Sequence, residues 1–308
     1  MPLAAAALLA VGAQAQVRNA IEGEPYLVAS IEEAQGAGTV TYEWYRIGEF
    51  GTFLIAECTE ASCLIPARLC QGYNVEIRRK VVMRDCFVGG TSEAWSNPVY
   101  VTFRCGGHGT RMSDGLCWAD RNVGQAGAFA ANPDDRGMFY QFNTNRAWSP
   151  TGSVTDWQDM TGNALNTPVG WTINTHPCPP GWRLPSLAEY MLLFNGQIGN
   201  GGTWANIGTR GNALSGRFHG RNHATCSLPS NMSECIFLPA AGYRDDSGVL
   251  NFEDGMYGYG WYWSSAYNTS AWSTLATSLL VSRDRVDDYI SWTPRATAMP
   301  LRCVYIEE

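Results

Sequence analysis

The sequence predicts two domains of different class, an all-β sandwich over residues 16–104 and a loop-rich α+β domain over residues 105–308. Short runs that alternate apolar and polar residues between turn signals fill the first part, as in half-buried strands. The second part holds all but two of the 12 tryptophans and a single segment with helical periodicity. Gly, Asn, Ser and Pro separate its short apolar runs, so we expect long ordered loops there.

Three segments predict the strands of the first domain. Residues 40–46 alternate and are rich in aromatic and β-branched types, residues 73–83 alternate again, and residues 97–103 close the domain. Trp44 lies on a middle strand, where we expect it to anchor the core.

The composition excludes several classes of function. A hydrophobic content of 45% is too high for a disordered chain, and a net charge of −7 does not suit a nucleic-acid binder that neutralises phosphates. Lys80 is the only lysine, which excludes a Schiff-base or phosphate-loop lysine at every other position.

The first 15 residues are predicted to be a signal peptide. Residues 3–11 form an apolar run, and Ala13-Gln14-Ala15 matches the small-residue cleavage pattern, although no basic residue precedes the run. An ordinary N-terminal helix is the alternative. The run is too short to span a bilayer and no later stretch is long enough. We therefore expect a secreted or cell-surface protein without a transmembrane segment.

The 10 cysteines support export, because an even number in an exported chain predicts a disulfide framework. Local pairing of Cys58 with Cys63 and of Cys70 with Cys86 is the simplest arrangement in the first domain, although four cysteines allow three connectivities. Paired C-x2-C knuckles are absent from the sequence, so no zinc site is predicted.

Residues 185–194 predict the one clear helix. Ser186 is the expected N-cap, Glu189 follows at the capping-box spacing, and Asn195-Gly196 ends the segment. The residues predicted to share the buried face are Leu187, Tyr190, Met191 and Phe194.

Four ordered blocks of the second domain carry a family resemblance. They are CWADRNVG at 117–124 with NPDDRG at 132–137 and FYQF at 139–142, CPPGWRLPS at 178–186, FLPAAGYR at 237–244, and GWYWSS at 260–265, closed by Arg295 and by PLRCV at 300–304. In this order they resemble the Fibrobacter succinogenes major paralogous domain, which is similar in fold to C-type lectins and formylglycine-generating enzymes. The first domain resembles the immunoglobulin-like modules of secreted Bacteroidetes surface proteins, through its WYR strand, its Ile65-Pro66-Ala67 turn and its final SNPVYVTF strand.

These resemblances imply an α+β C-type-lectin-like domain preceded by an all-β immunoglobulin-like sandwich. They also imply a disulfide between Cys178, near the helix, and Cys303, in the last strand. Cys226 with Cys235 would then close a surface loop, and Cys105 with Cys117 is left as the third bridge of this region.

Catalysis is not predicted. An enzyme of the formylglycine-generating type needs reactive thiols, whereas every cysteine here has a candidate disulfide partner. His219 and His223 lie four residues apart, but Gly220 and Asn222 favour a solvated loop over a metal pair. The calcium-binding triplets of C-type lectins (E-P-N or Q-P-D, then W-N-D) are missing from the sequence, so no cofactor or metal is expected.

The segment 266–292 is the candidate binding surface. Tyr, Trp and Arg among short polar residues are typical of residues that contact a macromolecular ligand. The predicted ligand contacts are Tyr267, Asn268, Trp272, Arg283, Arg285, Asp287, Tyr289 and Trp292. An ordinary core role for Trp272 and Trp292 is the alternative.

Together these features predict an exported, non-catalytic recognition protein, such as an adhesin or a pilus-tip component. Its partner would be an unknown protein or glycan at a cell surface, with other pilus or surface subunits as further partners, and not a nucleic acid. Two alternatives stay open: a variable binding protein diversified by a retroelement, and an enzyme of the formylglycine-generating type.

Overall fold

A computed structural model defines the fold of most of the chain. It describes residues 18–28, 38–48, 51–72, 75–85, 90–112, 115–158, 160, 170–171, 176–195, 202–206, 215–220, 223–228, 235–252, 258–267, 274–283 and 290–306. The chain divides into two compact units, Met1–Gly107 and His108–Glu308. Within the described ranges, strands dominate both units and a single α-helix is present.

The first unit is built on one six-stranded sheet and a two-stranded ribbon. Its strands are β1 (Arg18–Ile21), β2 (Tyr26–Val28), β3 (Gly38–Gly48), β4 (Gly51–Leu54), β5 (Cys63–Ile65), β6 (Val75–Asp85), β7 (Thr91–Trp95) and β8 (Val99–Arg104), with a 3-10 turn at Ala67–Leu69. The sheet has the order β1-β8-β6-β3-β4, with β7 also paired to β6, and β2 pairs with β5 in the ribbon. Only β1 and β8 run parallel among the described pairs of this sheet.

The core of the first unit lies between the sheet and the ribbon. Trp44, Ile77 and Val101 are buried on the inner face of the sheet, where they join Val28 and Ile65 of the ribbon in one apolar cluster. The indole N–H of Trp44 donates to the Glu60 carbonyl oxygen at 2.8 Å, so this buried polar group is satisfied. The prediction that Trp44 anchors the core is confirmed.

The second unit consists of several small antiparallel sheets. Its strands are β9 (Gly109–Arg111), β10 (Cys117–Ala119), β11 (Tyr140–Gln141), β12 (Trp182–Arg183), β13 (Thr203–Ala205), β14 (Gly216–Gly220), β15 (Cys235–Pro239), β16 (Tyr243–Arg244), β17 (Leu250–Asn251), β18 (Tyr259–Tyr267), β19 (Leu275–Ser282), β20 (Ile290–Pro294), β21 (Ala298–Met299) and β22 (Val304–Tyr305), and helix α1 spans Leu187–Asn195. The strand orders are β12-β22-β10-β9, β11-β21-β16-β17, β13-β14-β15 and β18-β19-β20.

The predicted fold class is wrong. Strands make up about half of the structure and helices about 5%, and the second unit has one short helix among four small sheets instead of the α+β C-type-lectin-like arrangement. In the first unit a two-stranded ribbon, not a second full sheet, faces the six-stranded sheet, so the immunoglobulin-like sandwich is not formed as expected. Local sequence blocks specify turns and core residues, but they leave open how the strands pair.

The predicted start of helix α1 is confirmed. The Glu189 backbone N–H donates to the Ser186 hydroxyl at 3.2 Å, and the Ser186 N–H donates to the Glu189 carboxylate at 2.7 Å, which completes a capping box. Arg183 also donates to that carboxylate at 2.5 and 2.9 Å. The predicted buried face is wrong at Met191, which is exposed, because Tyr190 and Leu193 take the core positions.

Disulfides of both long and short range lie in the second unit. Cys178 and Cys303 are bonded across 125 positions, and Cys226 with Cys235 closes a loop of the predicted kind. Cys105 and Cys117 are also disulfide-bonded. Such bonds form in an oxidising compartment, which agrees with an extracellular location.

The first unit contains one of its two predicted disulfides. Cys58 pairs with Cys63, but Cys70 is a free, buried thiol that lies 3.6 Å from the Ile65 carbonyl oxygen. Cys86 lies outside the described residues. The predicted pair Cys70–Cys86 is wrong, because the Cys70 thiol is free and packed in the core of the unit.

Buried arginines connect loops to the sheets of the second unit. Arg244 is almost fully buried, and its guanidinium donates to four main-chain carbonyls, those of Ser149, Thr151, Gly152 and Gly248, at 2.7–3.1 Å. A planar guanidinium has five donors in a fixed geometry, so one side chain can satisfy several carbonyls that a loop leaves without strand partners.

Arg302 plays the same part in the centre of the unit. It is fully buried, and it donates to the carbonyl oxygens of Ala119 at 3.0 Å and of Phe237 at 2.7 Å. Burial lowers the pKa of Arg302, but an arginine stays charged even so. The side chain therefore ties β10 and β15 to the chain segment just before β22.

Replacement of Arg244 by lysine tests this role. A lysine has three donors and no planar fork, so Arg244→Lys leaves loop carbonyls unsatisfied and is expected to lower the free energy of unfolding by about 2–4 kcal/mol. The exposed Arg111, which donates to the Gly115 carbonyl, provides the matched control. Urea unfolding followed by tryptophan fluorescence measures both variants, and an equal small loss in both would contradict the role.

Two disulfides that were predicted and are present, Cys58–Cys63 and Cys178–Cys303, close loops of different length. Their removal tests how much loop closure stabilises the fold. Replacing Cys178 and Cys303 by alanine opens a loop of 125 positions and is expected to cost about 5 kcal/mol, against about 2 kcal/mol for Cys58 and Cys63, which are separated by 5. Calorimetry of the two double variants measures the difference. A larger loss for the short loop would refute the chain-entropy explanation.

Candidate binding surface

The candidate surface of the second unit is supported by the sheet of β18, β19 and β20. Central β19 pairs antiparallel with both neighbours. Tyr262 on β18 and Leu279 on β19 lie opposite each other in the main core of the unit, and Trp263 faces the other side, where its indole N–H donates to the Tyr140 carbonyl oxygen at 2.9 Å. Both faces of the sheet are therefore packed, which makes it a rigid support.

Burial ends abruptly at the edge strand β20. Thr277 of β19 is fully buried, whereas Trp292, its direct partner on β20, is 53% exposed. Side chains also link the two strands, because the hydroxyls of the diagonal neighbours Ser278 and Thr293 lie 2.6 Å apart. A large aromatic ring thus stands on a fixed backbone and faces solvent, so the core alternative for Trp292 is wrong.

Arg283 lies where the chain leaves β19, and it is exposed. The backbone before it is held by Arg217 of β14, a buried arginine whose guanidinium donates to the carbonyl oxygens of Ser282 at 2.8 Å and of Arg283 at 2.9 Å. Arg217 therefore positions the backbone at Arg283, one of the predicted ligand contacts.

Sequence reasoning did not identify Arg217 as a supporting residue. Its strand neighbours Gly216 and Phe218 mark a buried strand, and an arginine within such a strand needs acceptors. The sequence holds no sign of which acceptors these are, since Ser282 is 65 positions away.

Tyr267 has internal packing partners. Its ring lies 6.1 Å from that of Phe142 and 6.0 Å from the Arg295 guanidinium. A Cβ atom at Gly170 would lie 2.5 Å from the Tyr267 ring, so the glycine permits this close approach. The contacts explain the half-buried state of Tyr267 and leave only part of the ring for a ligand.

The other predicted contacts lie outside the described residues. They are Asn268, Trp272, Arg285, Asp287 and Tyr289. The structure therefore places three of the predicted contacts on one three-stranded sheet. Tyr267 ends β18, Arg283 follows the end of β19, and Trp292 lies in the edge strand β20.

The two histidines of β14 and the following turn differ from the prediction of a solvated loop. His219 is buried in β14, opposite Ile236 of β15, because the strand continues through Gly220. His223 lies in the next turn, with its Nδ1 2.8 Å from the Thr203 hydroxyl. Burial lowers the pKa of His219 well below its ordinary value, with Arg217 and other nearby cations adding to the effect.

The described ranges contain neither a cluster of metal-ligating side chains nor a membrane-spanning helix. No group of three or more His, Cys, Asp or Glu side chains is arranged there to hold a metal ion. No helix of those ranges is long and apolar enough to cross a membrane.

Comparisons with known proteins found no match to a family model, to a curated protein or to a solved structure.

Acid should destabilise the second unit through His219. The folded state keeps this imidazole neutral while the unfolded state binds a proton below about pH 6.5, so the free energy of unfolding is expected to fall as the pH falls below 6.5, by up to about 1.4 kcal/mol per pH unit. Above that pH both states are neutral and the group has no effect.

Urea unfolding between pH 5 and pH 8 tests this expectation. His219→Gln removes the titrating group and should flatten the acid side of the stability profile, whereas the control His108→Gln should keep the slope of the unaltered protein. An unchanged slope in His219→Gln would assign the acid sensitivity to other groups.

Proposed function

We propose that the protein is an exported, non-catalytic recognition protein whose second unit binds a macromolecular ligand through the edge of the β18–β20 sheet. The exposed Trp292 is the observation that carries this proposal. An exposed tryptophan on a rigid strand loses little conformational freedom on binding and can bury a large area, which is why tryptophan is enriched at binding hot spots.

The support beneath Trp292 favours binding. Both faces of the sheet are packed, and on the face opposite the ring the Ser278 and Thr293 hydroxyls join β19 to β20. Arg217 holds the backbone carbonyl of Arg283, which is exposed and directly follows β19. Arg283 lies six residues along from Thr277, the partner of Trp292, or roughly 20 Å at the usual rise per residue, so a ligand that contacts both must be a macromolecule.

Export is part of the proposal. Disulfides at long and short range suit an oxidising compartment, and the predicted signal peptide over residues 1–15 would direct the chain there. A surface adhesin is the class of protein that unites export, disulfides and a rigid binding edge.

Protein and glycan arrays probed with the full chain test the proposal. Trp292→Ala is expected to weaken binding to at least one positive spot 10-fold or more, because the truncation removes the side chain that the ligand would bury, and Arg283→Ala should have a smaller effect. Leu192→Ala, at another exposed apolar side chain of the same unit, is the matched control and should bind as the unaltered protein does.

Two results would contradict the proposal. One is undiminished binding of a correctly folded Trp292→Ala variant. The other is an equal loss of binding in Leu192→Ala, which would move the contact surface to helix α1.

A further inference from the structure

The outer face of the large sheet of the first unit carries a second exposed tryptophan. Trp95 ends strand β7 and is 46% exposed, and its ring centroid lies 5.1 Å from that of Tyr45 on β3. Leu54 of the edge strand β4, directly opposite Tyr45, is also exposed. Since residues opposite one another in antiparallel strands share a face, these three side chains form one apolar strip across the solvent side of the sheet.

One ammonium and two carboxylates lie within the strip. Lys80, the only lysine of the chain, is directly opposite both Glu43 on β3 and Trp95 on β7. Its ammonium lies 2.8 Å from the Glu93 carboxylate and 3.7 Å from the Glu43 carboxylate. The Tyr45 hydroxyl donates to Glu43 at 2.8 Å.

Hydrogen bonds to the two carboxylates determine the protonation states of Lys80 and Tyr45. The hydrogen bond to Glu93 raises the pKa of Lys80, so the lysine stays charged, and the hydrogen bond to Glu43 raises the pKa of Tyr45, so the phenol stays neutral. The Glu43 and Glu93 side chains are 40% and 52% exposed, and each carboxylate has more lone pairs than these contacts use.

The backbone under Trp95 is held firmly. The Ser96 N–H donates to the Arg79 carbonyl oxygen at 2.8 Å, and the Arg79 N–H donates to the Ser96 hydroxyl at 3.0 Å. Arg79 itself is buried beneath the sheet, where its guanidinium lies 4.9 Å from the Tyr42 ring. Trp95 is therefore presented on a rigid platform, as a binding site requires.

The chemistry of the strip selects its ligand. Exposed aromatic faces favour a flat ligand with an apolar side, and the carboxylates favour a ligand that brings hydroxyl donors. An anionic ligand would be repelled, because two carboxylates outnumber the one ammonium, and a cationic ligand would have to compete with Lys80 for them, whereas neutral hydroxyls can bond to the remaining lone pairs. The pyranose rings of a neutral polysaccharide combine an apolar C–H face with hydroxyl edges.

We propose that the Trp95–Tyr45 strip on the outer face of the first unit is a binding site for a neutral polysaccharide. The strip crosses four neighbouring strands, β4, β3, β6 and β7, which span about 14 Å at the usual strand spacing. Trp95 and Tyr45 stack on sugar rings, and Glu43 and Glu93 accept from their hydroxyls.

Native affinity electrophoresis of the full chain tests the site. The gels contain a soluble β-glucan, an arabinoxylan or a galactomannan, and polygalacturonate serves as the charged comparison. At least one neutral polysaccharide should retard the protein, and Trp95→Ala should raise the apparent dissociation constant at least 10-fold, while Trp95→Phe retains part of the binding. Leu64→Ala, at an exposed apolar side chain of the two-stranded ribbon of the same unit, is the matched control and should be retarded as the unaltered protein is.

Several results would overturn the site. They are the absence of retardation by all three neutral polysaccharides, retardation by polygalacturonate alone, and full retardation of a Trp95→Ala variant with an unchanged melting temperature. Loss of retardation in Trp292→Ala with full retention in Trp95→Ala would also overturn it, and would assign sugar binding to the second unit instead.

Discussion

The hydrogen bond from a buried arginine to main-chain carbonyl oxygens is the interaction on which the second unit depends. Its sheets are small, so many backbone carbonyls have no strand partner, and a buried carbonyl without a donor is costly. Arg244 and Arg302 each satisfy carbonyls from segments that are distant in sequence. The preference for arginine over lysine in this chain follows from that task, since only the guanidinium offers several donors in one plane.

Disulfides complement the arginines over longer distances. The Cys178–Cys303 bond ties the segment before α1 to the end of the chain, and Arg302, the residue before Cys303, binds carbonyls on the opposite side of the same core. The disulfide reduces the conformational entropy of the unfolded chain, whereas Arg302 satisfies buried carbonyl oxygens of the folded chain. Together they allow a loop-rich unit to be stiff with only one short helix.

This stiffness is what makes the exposed aromatic residues useful. Trp292 in the second unit and Trp95 in the first each stand on a strand whose backbone or side-chain partners are fixed by hydrogen bonds. An aromatic side chain on a rigid strand loses little conformational entropy on binding. The two units present such side chains among different neighbouring groups. Trp292 lies on the edge strand β20, whereas beside Trp95 lie the Lys80 ammonium and the carboxylates of Glu43 and Glu93.

Local features were determined by the sequence alone. The capping box of Ser186 and Glu189, the core position of Trp44 and the bond Cys58–Cys63 each depend on residues close in the chain or on a strong hydrophobic preference. The bonds Cys178–Cys303 and Cys226–Cys235 were expected from a resemblance between sequence blocks.

The tertiary structure alone decided the fold class, the burial of His219, the exposure of Met191, the free thiol of Cys70 and the backbone supports under Trp292 and Trp95. Alternation along a strand indicates which side chains share a face, but the partner strand decides whether that face is covered, and β20 and β7 both leave a tryptophan uncovered. Likewise, the acceptors of Arg217 and Arg244 are carbonyl oxygens, which every residue has, so no side-chain pattern could identify them.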